Sequence, residues 1–282
     1  MAQFTNQATL TYNNSVVNSN IAVGEIRESL TADKNAALDT YTVGDSVTYI
    51  ISAVNEGPTA LSGLSITDNL GEYTFGTQSL YPLTYVDGSV QLYINGVLQA
   101  PPTVVAGPPL VFSGINLPAN SNLVLVYGAT VNEFAPLMQD ATITNTAVIG
   151  GIATPVTVSE TITAQSQPDL TITKTIDPVP VSANGTLTYT FVIRNFGNTA
   201  VTEEANAVVT DTFDPILSNL TVTFNGEVWE EGTNYTYDES AGLFTTIAGQ
   251  ITVPAATYQQ DVTTGEWIVT PGVSTLVITG TL

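Results

Sequence analysis

The sequence of 282 residues contains no cysteine, no histidine and only 4 basic residues. Without cysteine and histidine there are no disulfides and no thiolate or imidazole metal ligands. The two common routes that activate a serine or cysteine nucleophile are excluded for the same reason. No acidic loop of the helix–loop–helix calcium-binding pattern is present either. The sequence therefore predicts neither a metal nor a cofactor.

Positive charge is scarce, with 25 acidic residues against 4 basic ones and a net charge of -21. This charge repels phosphate backbones and anionic membrane surfaces, which excludes nucleic acid as a partner. Charged residues are nevertheless only 10% of the chain, and hydrophobic residues are 43%. This composition and length are sufficient for two domains with substantial cores.

Long hydrophobic runs are also missing. No stretch approaches the roughly 20 apolar residues of a membrane span. Residues 1–7 have neither the basic nor the apolar region of a secretory signal. The absence of cysteine and the threonine-rich, lysine-poor composition are still typical of a protein that ends up outside cells. We therefore expect an extracellular location, reached by release or lysis and without a secretory signal peptide.

The sequence is rich in the β-strand pattern. Segments 46–54, 186–193 and 273–279 combine β-branched or aromatic residues with polar residues at period two. Asn95-Gly96 and Asn225-Gly226 lie between such segments and indicate two-residue hairpin turns. No window shows a helical stripe. The pattern predicts an all-β fold made of β-sandwiches.

The two lysines of the chain, Lys34 and Lys174, occupy the same point of two copies of one domain, because 174 minus 34 gives a register of 140 residues. Several pairs obey the same register: Thr48-Tyr49 with Thr188-Tyr189, Asn55 with Asn195, Gly57 with Gly197, and Thr59 with Thr199. Asp68 falls on Asp211 after a small insertion. The duplication predicts two tandem sandwiches. The arginines, Arg27 and Arg194, are not repeated and are interpreted as salt-bridge formers.

These repeated residues also carry a family resemblance. Both copies are similar to the conserved-repeat, immunoglobulin-like family catalogued as domain of unknown function eleven, found in bacterial surface and appendage proteins. The matching positions are Leu30, Lys34, Gly44, Thr48-Tyr49, Asn55, Gly57 and Thr67-Asp68 in the first copy, and Leu170, Lys174, Gly185, Thr188-Tyr189-Thr190, Asn195, Gly197-Asn198 and Val208-Val209-Thr210-Asp211 in the second. Two repeats without a signal peptide also resemble the main subunits of clostridial spore appendages. The resemblance implies a structural, spore-surface role.

The two copies differ at their ends. In the first, residues 123–128 are followed by two closing strands, 143–149 and 154–160, whereas residues 276–280 of the second are followed only by Thr281 and Leu282. Residues 4–10 and 19–25 are similar in sequence to these two closing strands. We therefore predict N-terminal donor strands in residues 1–28, a first sandwich in residues 29–165 and a second, incomplete sandwich in residues 166–282.

An incomplete sandwich exposes unpaired backbone groups and an open core, and such an edge favours strand addition. If the N-terminal segment fills the second sandwich of its own molecule, the chain closes on itself. If it fills that of a neighbour, the contact is head-to-tail and generates a filament. The third possibility is an ordinary N-terminal strand within the first domain. We favour the neighbour, a homopolymer, because only a few residues link the segment to the first sandwich.

The duplicated lysine suggests a chemical role. In covalently stapled immunoglobulin-like domains, a buried lysine amine attacks a facing asparagine carboxamide, assisted by a carboxyl, and ammonia leaves. Burial favours the neutral, nucleophilic amine and a protonated carboxyl. The predicted internal crosslink joins Lys34 to Asn145 with Asp68 assisting; the predicted intermolecular crosslink joins Lys174 to Asn6 with Asp211 assisting. The alternatives are a solvated or edge-protecting lysine and a turn-forming aspartate.

The sequence thus predicts a structural filament subunit and no enzyme, apart from a single-turnover reaction of the chain on itself. The alternative is a surface adhesin or carbohydrate-binding module, for which Trp229, Tyr235, Tyr237 and Trp267 are candidate ligand contacts. A hydrolase with paired carboxylates has no supporting motif.

Overall fold

The computed structural model describes residues 2–26 and 30–282. The predicted ion pair of Arg27 and the predicted boundary at residue 28 lie outside the described residues. Contacts divide the chain into two compact units, one reaching to Asn132 and including Ile143–Ile162, the other made of Glu133–Thr142 and Thr163–Leu282. The segment Glu133–Thr142 therefore belongs to the second unit although it falls in the range predicted for the first repeat. No helix in the described ranges is long and apolar enough to cross a membrane.

The N-terminal segment forms an extended hairpin. Its strands are β1 (Ala2–Asn6), β2 (Thr9–Tyr12), β3 (Ser15–Asn18) and β4 (Ala22–Ile26). Strand β1 pairs with β4 and β2 with β3, and the turn is made by Asn13 and Asn14, both with positive φ. In the described part of the chain these strands pair only with one another. The third possibility, a strand added to the first sandwich, is therefore wrong.

Besides a separate two-stranded sheet within residues 73–80, the first repeat is a sandwich of two six-stranded sheets. One has the order β13-β12-β16-β7-β5, with β11 also paired to β16, and the other has the order β14-β15-β8-β17-β18-β6. The strands are β5 (Leu30–Ala36), β6 (Thr40–Tyr41), β7 (Ser46–Asn55), β8 (Leu61–Asp68), β9 (Tyr73–Phe75), β10 (Gln78–Leu80), β11 (Leu83–Tyr85), β12 (Gln91–Ile94), β13 (Val97–Leu98), β14 (Thr103–Val105), β15 (Leu110–Leu117), β16 (Ser121–Val131), β17 (Thr142–Gly150) and β18 (Val156–Ala164).

The second repeat has one sheet of the same kind and a much smaller opposing sheet. The larger sheet has the order β19-β20-β28-β22-β23, and the smaller has only β21-β25-β24. The strands are β19 (Leu170–Asp177), β20 (Thr186–Asn195), β21 (Thr210–Thr212), β22 (Ser218–Phe224), β23 (Glu227–Trp229), β24 (Tyr235–Asp238), β25 (Leu243–Thr246), β26 (Thr257–Gln260), β27 (Trp267–Thr270) and β28 (Gly272–Thr281). A single 3-10 turn spans Glu203–Ala205. The predicted all-β fold with two β-sandwich repeats is confirmed.

Both predicted hairpin turns are present. Asn95-Gly96 joins β12 to β13 and Asn225-Gly226 joins β22 to β23, with positive φ at all four residues. These are the dihedrals that a two-residue turn requires, and asparagine and glycine adopt them at low cost.

The repeated Asn55 and Asn195 have a structural role. The Asn55 side chain is buried, donates to the carbonyls of Thr59 and Pro118, both at 2.9 Å, and accepts from the Gly57 amide at 3.0 Å. Asn195 makes the same three kinds of bond in the second repeat. Because buried backbone groups need partners, each asparagine fixes the loop after its strand.

Arg194 forms no salt bridge with any residue that the structure describes, in contrast to the prediction from the sequence. Its guanidinium donates to the Thr173 hydroxyl at 3.5 Å. The two ion pairs among the described residues both involve lysines.

Candidate functional site

Each repeat places its lysine at the same position of the sheet. Lys34 on β5 lies opposite Ile51, and Lys174 on β19 lies opposite Phe191. In both repeats the lysine bonds the aspartate predicted from the sequence, Lys34 with Asp68 and Lys174 with Asp211. The register of the duplication therefore brings a lysine and an aspartate together twice.

In the first repeat this pair is fully enclosed. Lys34 Nζ lies 2.6 Å from Asp68 Oδ2, and neither side chain is accessible to water. Asp68 Oδ1 accepts from the Leu70 amide at 2.9 Å. The lysine amine also lies 5.0 Å from the centre of the Tyr49 ring. The interpretations of Lys34 as a solvated or edge-protecting residue are wrong for this repeat, and the interpretation of Asp68 as a turn former accounts for only one of its bonds.

Asn145 reaches this pair through Tyr127. The Tyr127 hydroxyl donates to Asp68 Oδ2 at 2.6 Å, and Asn145 Nδ2 donates to the Tyr127 oxygen at 3.0 Å. Asn145 is completely buried, and its Oδ1 has no hydrogen-bond partner among the described residues. The structure thus places the three predicted residues in one buried network, with Tyr127 as its fourth member.

Burial shifts the pKa values of two members of this network, Lys34 and Tyr127. It lowers the pKa of the Lys34 amine, and the Asp68 carboxylate partly offsets that effect. Burial, followed by the charge of Asp68, raises the pKa of the Tyr127 phenol well above its usual value, so the phenol keeps its proton. Transfer of one proton from Lys34 to Asp68 yields a neutral amine and a carboxylic acid without changing the net charge of the site. These are the forms that an attack on a carboxamide requires.

The second site is open to solvent. Lys174 and Asp211 are hydrogen-bonded, but the side chains keep 37% and 18% of their accessible surface. The Lys174 amine lies over aromatic rings, 4.2 Å from the centre of Tyr189 and 5.6 Å from that of Phe213. The second site thus has the same kinds of group as the first site, an amine, a carboxylate and aromatic neighbours, but it is not enclosed.

The strand that carries Lys174 is exposed along its whole length. Leu30 of β5 is 4% exposed, whereas Leu170, at the same position of β19, is 43% exposed. Ile172 and Ile176, on the same side of the strand as Lys174, are 54% and 46% exposed. Aliphatic side chains with this spacing normally face a core. The core of the second repeat is therefore uncovered at this strand.

The backbone is open at the corresponding place. In the first repeat β8 pairs with β15 on one side and with β17 on the other, where Asp68 faces Ala147. In the second repeat β21 pairs with β25 on one side, and no described strand pairs with its other edge. The strand with unpaired backbone groups is the one that holds Asp211.

Asn6 lies in the exposed N-terminal hairpin, which belongs to the first unit. The sequence from β1 to β2 alternates like that of β17. Ile143, Asn145, Ala147 and Ile149 are buried, and the matching residues are Phe4 and Asn6 in β1, Ala8 between the strands and Leu10 in β2. Phe4 and Leu10 are 54% and 64% exposed. The hairpin thus presents an uncovered apolar face that contains an asparagine.

Tyr127 was not predicted from the sequence. The signal was its position: it is the one aromatic residue in the strand segment 123–128, and it pairs with Tyr49 of the repeated Thr48-Tyr49. The counterpart of this pair in the second repeat is Tyr189 with Ile278. The two copies therefore differ here, with tyrosine in the first and isoleucine in the second.

The candidate carbohydrate contacts do not form one exposed aromatic surface. Tyr235 is buried and stacks on Phe244, and Trp229 stacks on Phe224. Tyr237 packs against the same core and donates to the Leu217 carbonyl at 2.6 Å. Three of the four aromatics therefore pack in the core of the second repeat.

No protein-family model and no curated protein matches the chain. Similar solved structures include the pilus backbone RrgB of Streptococcus pneumoniae, with 12% identity, a TM-score of 0.35, and coverage of 86% of this chain and 55% of that chain. The major pilin BcpA of Bacillus cereus has 12% identity, a TM-score of 0.38, and coverage of 95% and 73%. A fragment of the major pilin GBS80 of Streptococcus agalactiae has 14% identity, a TM-score of 0.35, and coverage of 87% and 91%. The chain thus spans about half the length of RrgB.

The different burial of the two lysines predicts unequal effects of their removal in the monomeric chain. Lys34→Ala leaves a buried carboxylate without its cation, so we expect a loss of at least about 3 kcal/mol of unfolding free energy from the first repeat. Lys174→Ala removes an exposed pair and should cost the second repeat less than about 1 kcal/mol. Hydrogen exchange measures each unit through its own amides. Equal losses in the two units would contradict the difference in burial.

Proposed function

We propose that the chain is the structural subunit of an extracellular filament, and that its N-terminal hairpin completes the second repeat of a neighbouring subunit. The observation that supports this proposal most directly is the exposure of β19, whose inward side chains are covered in the first repeat and uncovered in the second. The resemblance to spore-appendage subunits makes a spore-surface filament the form we favour.

The hairpin has the size and pattern of the missing part. In the first repeat the cover consists of two adjacent strands, β17 and β18, placed between β8 and β6. The hairpin likewise offers two adjacent strands, and they are already paired before assembly. Donation of a preformed hairpin avoids part of the ordering entropy that a disordered donor would lose.

Burial of apolar surface provides the driving force. Phe4 and Leu10 of the donor, with Leu170, Ile172 and Ile176 of the acceptor, are each about half exposed before assembly. Covering these five side chains contributes on the order of 5 kcal/mol, and strand pairing along β21 adds hydrogen bonds. Because each subunit offers one donor and one acceptor, the contact is head-to-tail, and its repetition generates the proposed filament.

The same alignment brings Asn6 to Lys174. Asn6 takes the position of Asn145, so the entering hairpin delivers a carboxamide to an amine already bonded to Asp211. Attack of the amine on the carboxamide releases ammonia and joins the two subunits. Neighbouring strands hold the groups at an effective concentration on the order of 10⁵ M or more. The reaction occurs once per site, so it is a modification of the protein by itself.

Deletion of residues 1–25 should abolish filament formation, because no donor then remains, while the first repeat stays folded. A synthetic peptide of residues 2–26 should raise the thermal stability of the second repeat in the deleted protein. The matched control is the same peptide with Leu10→Asp, which places a charge on the apolar face and should have no effect. Normal fibres from the deleted protein, seen by electron microscopy, would show that the donation proposal is wrong.

Formation of the internal crosslink predicts a loss of mass. A chain carrying Asn6→Ala, which cannot form the intersubunit bond, should weigh one ammonia less than its sequence mass, with Lys34 and Asn145 joined in one proteolytic peptide. Adding Lys34→Ala or Asn145→Ala should restore the full mass. Closing so long a loop should stabilise the first repeat by about 4 to 5 kcal/mol through the unfolded state. A full mass for the Asn6→Ala chain would refute this bond.

The intersubunit crosslink predicts resistance to detergent. Wild-type filaments boiled in detergent should give a ladder of multimers, whereas Lys174→Ala and Asn6→Ala should give single subunits even where filaments were visible beforehand. Asn20→Ala, which changes another exposed asparagine of the hairpin, is the matched control and should keep the ladder. Complete dissolution of wild-type filaments to monomers would leave non-covalent donation alone.

A further inference from the structure

Besides their different burial, the two sites differ in the presence of one hydroxyl group beside the aspartate. In the first repeat the ring of Tyr127 stacks on Tyr49, with ring centres 5.5 Å apart, and its hydroxyl bridges Asp68 and Asn145. In the second repeat Ile278 occupies the position of Tyr127. The ring that stacks on Tyr189 there, at 5.0 Å, belongs to Phe213.

The exchange keeps the aromatic ring and removes the phenol. Phe213 follows Asp211 by two residues, and Leu70 follows Asp68 by two residues, so the first repeat combines Leu70 with Tyr127 and the second combines Phe213 with Ile278. All four side chains are buried. The packing therefore needs an aromatic ring beside the lysine in both repeats, whereas only the first repeat has a proton donor between its aspartate and its amide.

We infer that Tyr127 is a catalytic proton relay for the internal crosslink, and that the intersubunit crosslink forms without this relay and is therefore much slower. This inference rests on the proposed function. Its consequence is an order of events: the first repeat becomes crosslinked as the subunit folds, subunits then join reversibly by hairpin donation, and the covalent bond between subunits follows later.

The bonds and protons of the reaction balance. Lys34 first gives one proton to Asp68, and the free Nζ attacks Cγ of Asn145. When the tetrahedral intermediate collapses, the Cγ–Nδ2 bond breaks and Nδ2 must receive a proton to leave as ammonia. The Tyr127 hydroxyl touches both partners, so it gives its proton to Nδ2 and takes one from Asp68. Asp68 regains a proton from the attacking nitrogen.

All three protons of the Lys34 ammonium are accounted for. One remains on the new amide, one leaves with ammonia, and one stays on Asp68. The raised pKa of the Tyr127 phenol is compatible with this role, because a relay must hold a proton at the start and at the end of each transfer. In the second repeat the leaving nitrogen of Asn6 would receive its proton from Asp211 alone.

The test begins with the first repeat. Full-length chains carrying Asn6→Ala are produced by cell-free translation, and the loss of one ammonia is followed by mass spectrometry over time. We expect Tyr127→Phe to slow this loss about 10²-fold, the usual effect of removing a general acid. Tyr85→Phe is the matched control, since its hydroxyl is also buried but has no hydrogen-bond partner among the described residues, and it should not change the rate. An unchanged rate for Tyr127→Phe would overturn the relay.

Two double variants of the second repeat distinguish the effect of the hydroxyl group from that of the aromatic ring. In the full-length chain, Phe213→Leu with Ile278→Tyr introduces the arrangement of the first repeat, and Phe213→Leu with Ile278→Phe introduces the same ring without the hydroxyl. We expect the tyrosine variant to form the detergent-resistant ladder roughly tenfold or more faster than the phenylalanine variant. Equal rates would overturn the inference even if Tyr127→Phe perturbs the first repeat. Absence of any ammonia loss from the chain with an intact Tyr127 would instead refute the crosslink itself.

Discussion

The ion pair between lysine and aspartate in each repeat is the interaction on which the proposed assembly and crosslinking depend. In the first repeat it is sealed from water, which is tolerable only because Tyr127, Asn145 and the Leu70 amide surround it with polar partners. In the second repeat the same pair is solvated, and the aliphatic side of β19 is exposed beside it. The same lysine–aspartate pair is thus enclosed in one repeat and solvent-exposed in the other.

The difference between the two forms explains why assembly and chemistry are coupled in the proposed mechanism. Water stabilises the ammonium ion, which has no lone pair for attack, and the carboxylate, which has no proton to donate. The cover that would exclude water from Lys174 and Asp211 is also the segment that carries the carboxamide. In this proposal a subunit on its own lacks both the reactant and the dry environment, and it gains both when the hairpin of a neighbour enters.

The sequence was sufficient to predict the strands, the Asn-Gly turns and the lysine–aspartate pairs, because period-two alternation, turn chemistry and the 140-residue register are local or repeated signals. It was not sufficient to predict the role of Tyr127, since its hydroxyl meets Asp68 and Asn145 only when three strands pack together. The grouping of Glu133–Thr142 with the second unit also depends on tertiary contacts. Arg194 shows the same limit, because its partner, Thr173, lies on a neighbouring strand.

The most direct test of the central claim is to assemble filaments from an equal mixture of subunits labelled with nitrogen-14 and nitrogen-15, and to analyse the peptides that contain Lys174. Donation between subunits predicts peptides in which Lys174 is joined to Asn6, with about half of them carrying one light and one heavy component. Joined peptides that are only fully light or fully heavy would mean that each chain closes on itself. If Lys174 is found only in unjoined peptides after prolonged incubation of the filaments, the covalent account is contradicted.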